Sequence, residues 1–265
     1  MRPSIRRAAL YAALCTVYAA SALVPTLASA EPTDITVRVL GKDSKFVGSS
    51  MGGARLIVRD ADTREILAQG VTSGSTGDTK RIMGPQENSR AIRSSEGAAK
   101  FVATIDIDAP RLIEVEAYGP LAQPQAANRV TATQWVVPGR HISGGDGWVL
   151  ELPGYVVDVL APPAHVKLPP ETASVTLRAN VALMCGCPIT PGGLWDADTL
   201  EVKALIKHNG EDLPPVDLAF AGETSQFVGT VPVFGAGLYD VTVYAHNASN
   251  GNTGLDRTTF IVPEK

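Results

Sequence analysis

The stretch Gly237-Leu-Tyr-Asp-Val-Thr-Val-Tyr-Ala245 decides the fold class of this chain. From Tyr239 onward every second residue is apolar or aromatic, and the residues between them are polar or amphipathic. This period of two predicts a half-buried β-strand. The turn signal Asn250-Gly-Asn-Thr-Gly254 follows, and a further alternating run then ends at Val262. A strand, a turn and a second strand predict an antiparallel hairpin.

Similar alternating runs extend over the rest of the chain, and hardly any segment has helical periodicity. The runs of the first half begin near residues 35, 54, 65, 101, 112, 130 and 148, and those of the second half near residues 155, 174, 200, 216, 226, 238 and 257. About seven strands in each half is the number expected of an immunoglobulin-type sandwich. The sequence therefore predicts an all-β protein of two tandem immunoglobulin-like β-sandwich domains.

The two halves also resemble each other. Phe101-Val-Ala-Thr-Ile-Asp-Ile107 aligns with Phe227-Val-Gly-Thr-Val-Pro-Val233, and the strand that follows each run aligns at the same offset. Similarity in the same order over successive strands predicts duplication of one sandwich unit.

Two family resemblances agree with this architecture. The second half, with Gly237–Ala245 and the turn after it, resembles the bacterial immunoglobulin-like domains of the fibronectin and PKD type. This resemblance implies that Tyr239, early in the sixth strand, closes a corner against the backbone. The first half, from Ile35 to Val71, is weakly similar to a carboxypeptidase-regulatory or transthyretin-like module, which implies a scaffold role.

The N-terminus predicts export. Arg2, Arg6 and Arg7 precede an apolar stretch, and Ala28-Ser29-Ala30 forms a small-residue cleavage site, so residues 1–30 read as a cleaved signal peptide. The predicted domains are residues 31–153, with a long loop at 72–99, and residues 154–265. We expect a periplasmic or secreted product, and no second apolar segment is long enough to span a membrane.

The net charge and the sequence motifs argue against several classes of function. After loss of the signal peptide the chain keeps 20 basic and 27 acidic residues, a net charge of −7 without a basic run. This balance argues against nucleic acid or an anionic membrane as the main partner. The common hydrolase, metalloprotease and dinucleotide motifs are missing, so we expect no enzyme activity. The loop at 72–99 is rich in Gly, Ser and mixed charges, which predicts a mobile segment.

The most specific motif is Met184-Cys185-Gly186-Cys187-Pro188, which holds both cysteines of the mature chain. In an immunoglobulin-type sandwich the loops after the second and sixth strands lie at the same end. The Cys-Gly-Cys loop is therefore expected to meet the His246–Gly254 loop at the junction between the domains, where ligand sites are common.

Three interpretations of this motif stay open. Cys185 and Cys187 could bind a soft metal, with His246 or Met184 as a third ligand, and copper fits such a set better than zinc, which needs four ligands. Alternatively the two cysteines form a disulfide, which an oxidising compartment favours. In the third interpretation the loop is a structural turn and the thiols are incidental.

Two functions follow from these interpretations. The first is a periplasmic copper-binding protein that acts in metal handling or metalloprotein maturation, with a copper ion as cofactor. The alternative is a non-catalytic structural or interaction module of the cell envelope, with a protein partner and a local disulfide. The loop at 72–99 would be its contact surface, and the oligomeric state is left open.

Overall fold

The structure, a computed structural model, describes residues 30–86, 88 and 91–265. Nearly all of its regular structure is strand, which confirms the all-β prediction. The helical pieces are α1, Thr79–Met83, and three single turns of 3-10 helix at Ser49–Met51, Pro124–Ala126 and Ala197–Thr199. Among the described residues no helix is long and apolar enough to cross a membrane. The predicted signal peptide lies outside the described residues, except for Ala30.

Seven strands form the two facing sheets of the first sandwich. They are β1 (Glu31–Gly41), β2 (Arg55–Asp60), β3 (Ile66–Val71), β4 (Phe101–Ile107), β5 (Arg111–Gly119), β6 (Asn128–Val136) and β7 (Trp148–Leu152). One sheet has the order β4-β1-β7 and the other β3-β2-β5-β6. Every pairing is antiparallel except that of β1 with β7, which is parallel. The alternate apolar residues of both sheets meet in one buried core, as the period of two predicted.

The second sandwich contains nine strands. They are β8 (Tyr155–Ala161), β9 (Val166–Lys167), β10 (Ser174–Leu183), β11 (Glu201–His208), β12 (Glu211–Asp217), β13 (Ala219–Phe220), β14 (Gln226–Pro232), β15 (Gly237–His246) and β16 (Thr253–Val262). Their sheets have the orders β13-β14-β10-β8 and β12-β11-β15-β16-β9. The β15–β16 hairpin pairs without interruption from Gly237 opposite Val262 to His246 opposite Thr253, as the sequence predicted.

The strand pairings of the two sandwiches correspond. The pairs β1–β4, β2–β3, β2–β5 and β5–β6 of the first occupy the places of β10–β14, β11–β12, β11–β15 and β15–β16 of the second. Both are immunoglobulin-like sandwiches, and the strands that align in sequence occupy equivalent positions. They differ at one edge. Beside β10 lies β8, which precedes it, whereas beside β1 lies β7, the last strand of its sandwich. The transthyretin-like resemblance stays a prediction.

The segment 72–99, which its composition predicted to be a mobile loop, makes several contacts with the rest of the first sandwich in its described part. Asp78 caps α1 by accepting a hydrogen bond from the backbone N–H of Arg81, and α1 directs Ile82 into a small core with Phe46. The buried Arg38 guanidinium donates hydrogen bonds to the carbonyl oxygens of Ala98 and Ala99, at 2.6 and 3.0 Å. Apolar contacts and backbone hydrogen bonds thus attach the described part of this segment to β1.

The two sandwiches share buried contacts where they meet. Only Pro153 and Gly154 separate β7 from β8. Val156, Ala182 and Met184 come from the second sandwich, yet they belong to the core of the first. The apolar core therefore continues across the junction.

Candidate functional site

The Cys-Gly-Cys loop forms a tight turn directly after β10. Gly186 has a φ of 74°, and its N–H donates a hydrogen bond to the Leu183 carbonyl oxygen at 2.7 Å. A Cβ at this position would lie 2.6 Å from the Met51 sulfur, so both the left-handed conformation and the space require glycine. The sulfur atoms of Cys185 and Cys187 are 2.05 Å apart and form a disulfide. Both cysteines are buried in the core of the second sandwich.

The four predicted metal ligands do not converge in this structure. Cys185 and Cys187 are bonded to each other, which leaves no thiolate to bind a metal. Met184 points to the opposite side of the chain, into the core of the first sandwich. His246 lies at the end of β15, where its Nδ1 is 2.9 Å from the Thr253 hydroxyl. Within the described residues no group of three or more His, Cys, Asp or Glu could hold a metal. The geometry favours the disulfide over the copper site, and copper binding stays a prediction.

The loops of both sandwiches are instead joined by polar contacts. The turn after β1 presents Asp43, with a φ of 52°, to the second sandwich. The indole N–H of Trp195 donates to the Asp43 backbone carbonyl at 2.8 Å. The Asn250 side-chain amide donates to the Asp43 carboxylate at 2.6 Å, and Lys42 Nζ donates to the Asn250 carbonyl at 2.7 Å.

Asn252 links three parts of this junction. Its side-chain oxygen accepts a hydrogen bond from the Gly154 N–H at 3.1 Å, and its side-chain N–H donates to the Lys42 carbonyl at 3.1 Å. Asn252 is buried, so both hydrogen bonds are shielded from water. Together with the shared core, these contacts fix the position of the Cys-Gly-Cys loop relative to β1.

A cleft of about 310 Å³ opens between these loops. Its walls are mainly apolar, and Leu194 on its margin is 59% exposed. Polar groups on the margin come from both sandwiches. The lining residues are Asp43, Met83, Tyr155, Leu183, Ile189, Leu194, Trp195, Asp196, Thr199, Leu200, Asn247 and Asn250. Apolar walls with a few convergent polar groups are typical of a binding site.

Tyr155 forms part of the floor of this cleft. Its side chain is buried, and that burial raises the pKa of its phenol above the usual range. The nearby charge of Asp43 acts in the same direction, while hydrogen bonds from Asn247 and Asn250 oppose it. The phenol therefore stays protonated at neutral pH and acts as a hydrogen-bonding group.

The sequence predicted part of this site, namely residues that the second sandwich contributes. It predicted that the His246–Gly254 loop lies at the junction, and Asn247 and Asn250 of that loop line the cleft. It missed Asp43, Met83 and Leu194. Asp43 and Met83 belong to the first sandwich, far away in sequence, and no local pattern shows which turn of one sandwich contacts the other.

Comparisons with known proteins add little beyond the fold class. No family model and no curated protein matches this chain. Among solved structures, the fibronectin(III)-like modules of Clostridium thermocellum CbhA are 11% identical over 88% of this chain and 87% of theirs, with a TM-score of 0.29. The chicken interferon gamma receptor alpha chain is 11% identical over 89% of this chain and 99% of its own, with a TM-score of 0.30. An engineered protein is 19% identical over 48% of this chain but only 24% of its own, with a TM-score of 0.28. The immunoglobulin-like assignment rests on the strand pairings described above.

Proposed function

We propose that this chain is a non-catalytic module of the bacterial cell envelope, and that it contacts a protein partner through the cleft at the sandwich junction. The observation that carries this proposal is the state of Cys185 and Cys187, which are bonded to each other and buried. The disulfide then stabilises the turn of the Cys-Gly-Cys loop, and this loop lies at the junction between the sandwiches. The predicted signal peptide supports the location in the envelope.

The lining of the cleft suggests the chemistry of the partner. Leu194 and Met83 present apolar surface from opposite sandwiches, while Asp43 and Asp196 place carboxylates on the margin. An extended segment fits this surface if it carries an apolar side chain beside basic groups. Met83 also connects this proposal with the segment 72–99, because the end of α1 reaches the cleft.

The state of the cysteines is tested on mature protein purified gently from the periplasm. We expect the intact mass of a metal-free chain that begins at Glu31. This mass should be lower than that of the reduced chain by two hydrogen atoms. Replacing Cys185→Ser and Cys187→Ser together opens a very short loop, which lowers the free energy of unfolding by less than about 2 kcal/mol, and the two hydroxyl groups placed in the buried core add to this loss. A wild type that carries one copper ion on reduced thiols, and a double variant that has lost it, would restore the metal-binding interpretation.

The cleft is tested by photo-crosslinking in living cells. A photoreactive amino acid at Leu194 should give a discrete protein adduct, while the same residue at Leu205 should give none. Leu205 is a matched control because it is 51% exposed on the second sandwich but lies away from the cleft. Met83→Asp should reduce the Leu194 adduct by placing a charge on the apolar wall. Equal labelling at both positions, or no adduct at Leu194, would contradict the proposal.

A further inference from the structure

Strand β6 forms an unprotected edge of the first sandwich. Among the described strands it pairs only with β5, and that pairing runs without a register shift from Asn128 opposite Gly119 to Val136 opposite Arg111. Its sequence, Asn128-Arg-Val-Thr-Ala-Thr-Gln-Trp-Val136, contains no Pro, Gly or Lys. Bulges, prolines and lysines are the usual means by which proteins prevent an edge strand from pairing with another chain. From Val130 to Val136, β6 has none of these features. Only its first two residues carry some protection, because Arg129 is charged and its backbone N–H already donates a hydrogen bond to the Asn128 side chain at 2.7 Å.

The edge strands β3, β4 and β7 of the first sandwich are shorter than the nine residues of β6, and the edge strands of the second sandwich are very short or blocked. Strands β9 and β13 have two residues each. Strand β12 carries Pro214 and Pro215, which cannot donate to a new strand. On β8, side chains of the protein itself already bond the backbone: the Asp256 carboxylate accepts from the Val159 N–H at 2.8 Å, and Gln125 donates to the Val157 carbonyl at 3.2 Å.

The outward face of β6 also carries a large exposed apolar side chain. Trp135 is 67% exposed, more than any other large apolar side chain of the described residues, and Val137 beside it is 44% exposed. Thr131 and Thr133 complete the outward row. Threonine and tryptophan are both favourable in paired strands. These side chains suit a strand that has a neighbour on each side.

We propose that β6 pairs antiparallel with β6 of a second copy of this chain, so that the two four-stranded sheets become one continuous sheet across a two-fold axis. The register that pairs all nine residues places Ala132 on the axis. Thr131 then lies opposite Thr133 of the other copy, and Arg129 lies opposite Trp135. This surface is separate from the cleft, so the proposal does not depend on the proposed function.

Complementarity selects a second copy as the partner. In this register Arg129 meets the indole ring of Trp135 at both ends of the interface, a cation–π pair that occurs twice. The Arg129 guanidinium is held on this outer face by Glu116, at 3.3 Å, and lies 5.7 Å from the centre of the Tyr118 ring. The two threonine pairs between them add favourable cross-strand contacts. Each of these contacts therefore joins a residue of β6 to a residue of β6 in the other copy.

The test is sedimentation equilibrium of the mature full-length chain over a range of concentrations. Wild type should be a dimer in equilibrium with monomer. Trp135→Lys places like charges opposite each other twice and should raise the dissociation constant at least about tenfold. Trp135→Glu places a carboxylate opposite Arg129 and should keep the dimer. Leu205→Lys, a control at an exposed apolar residue of the other sandwich, should leave the dissociation constant unchanged.

Crosslinking then tests the register. A mixture of Thr131→Cys and Thr133→Cys proteins, mildly oxidised, should form a covalent dimer far more readily than either variant alone. Circular dichroism checks that every variant is folded. A wild type that is monomeric at every concentration overturns the proposal. So does a dimer that Leu205→Lys disrupts and Trp135→Lys does not, because the interface would then lie elsewhere.

Discussion

Tyr239 shows how one side chain fixes the path of the chain between two strands. Its hydroxyl accepts a hydrogen bond from the Phe234 N–H at 2.9 Å and donates one to the Gly235 carbonyl at 3.0 Å. Its ring stacks between Phe260, at 4.6 Å, and His208, at 4.4 Å. The ring therefore belongs to the core, while the hydroxyl satisfies the backbone of the turn before β15. This is the corner that the sequence predicted.

Tyr239→Phe should lower the free energy of unfolding by about 0.5–1.5 kcal/mol, because it removes the partly buried hydrogen bonds that the hydroxyl makes to Phe234 and Gly235. Urea denaturation measures the change. Tyr244→Phe is the matched control on the same strand, since the Tyr244 hydroxyl bonds Glu201 at an exposed position. An equal loss in both variants would mean that the corner contributes no more than a surface hydrogen bond.

Single residues also show which features could be predicted from the sequence and which could not. Tyr239 could be assigned because its place depends on the strand that contains it. The state of Cys185 and Cys187 could not be assigned, because their spacing is compatible with a metal site and with a disulfide. The structure favours the disulfide, because the two sulfur atoms are bonded and Met184 lies in a different core. Met184 is the first residue after β10, and its side chain lies in the core of the first sandwich, whereas the two cysteines lie in the core of the second.

Among the elements, the segment 72–99 makes contacts that its composition did not predict. Its Gly, Ser and charged residues are typical of a mobile loop, and composition alone gives no sign of its anchors. Its anchors include the packing of Ile82 beside Phe46 and the hydrogen bonds from Arg38 of β1 to the carbonyls of Ala98 and Ala99. Because these partners lie far apart in sequence, no periodic pattern could reveal them.

Ile82→Ala should therefore destabilise the protein by roughly 2–4 kcal/mol, since it leaves a cavity in the small core beneath α1. Chemical denaturation measures the loss, and limited proteolysis should show faster cleavage within the segment. Ile92→Ala is the control in the same segment, because Ile92 is 54% exposed and should cost less than about 0.5 kcal/mol. Equal, small effects would mean that the segment is not anchored by this core.

At the scale of the whole molecule, the junction makes the two sandwiches one cooperative unit. Val156, Ala182 and Met184 reach into the first core, and Asn252 joins three parts of the chain without water. The second sandwich has nine strands where about seven were predicted, but the division of the chain into two strand-rich halves was readable from sequence. The shared core was not, because alternation shows which face of a strand is buried but not which sandwich buries it.

This arrangement predicts one calorimetric unfolding transition for both sandwiches. Met184→Ala should lower the free energy of unfolding by roughly 2–5 kcal/mol, because it opens a cavity at the junction. Hydrogen exchange should report the loss equally in β2 and β11, one central strand from each sandwich. Leu160→Ala is the exposed control on β8. Two separate transitions in the wild type, or a loss confined to the second sandwich, would show that the halves unfold independently.

The parallel pairing of β1 with β7 has a consequence for the order in which the chain acquires its structure. Val37 lies opposite Trp148, so one flank of β1 has no neighbour until nearly the whole first half has been synthesised. In the second sandwich the corresponding neighbour, β8, precedes β10 and is available from the start. Closing so long a connection carries a larger entropy cost and slows the step that depends on it. The half of the chain that is made first is therefore expected to be completed late, when the first strand of the second half is already emerging behind it.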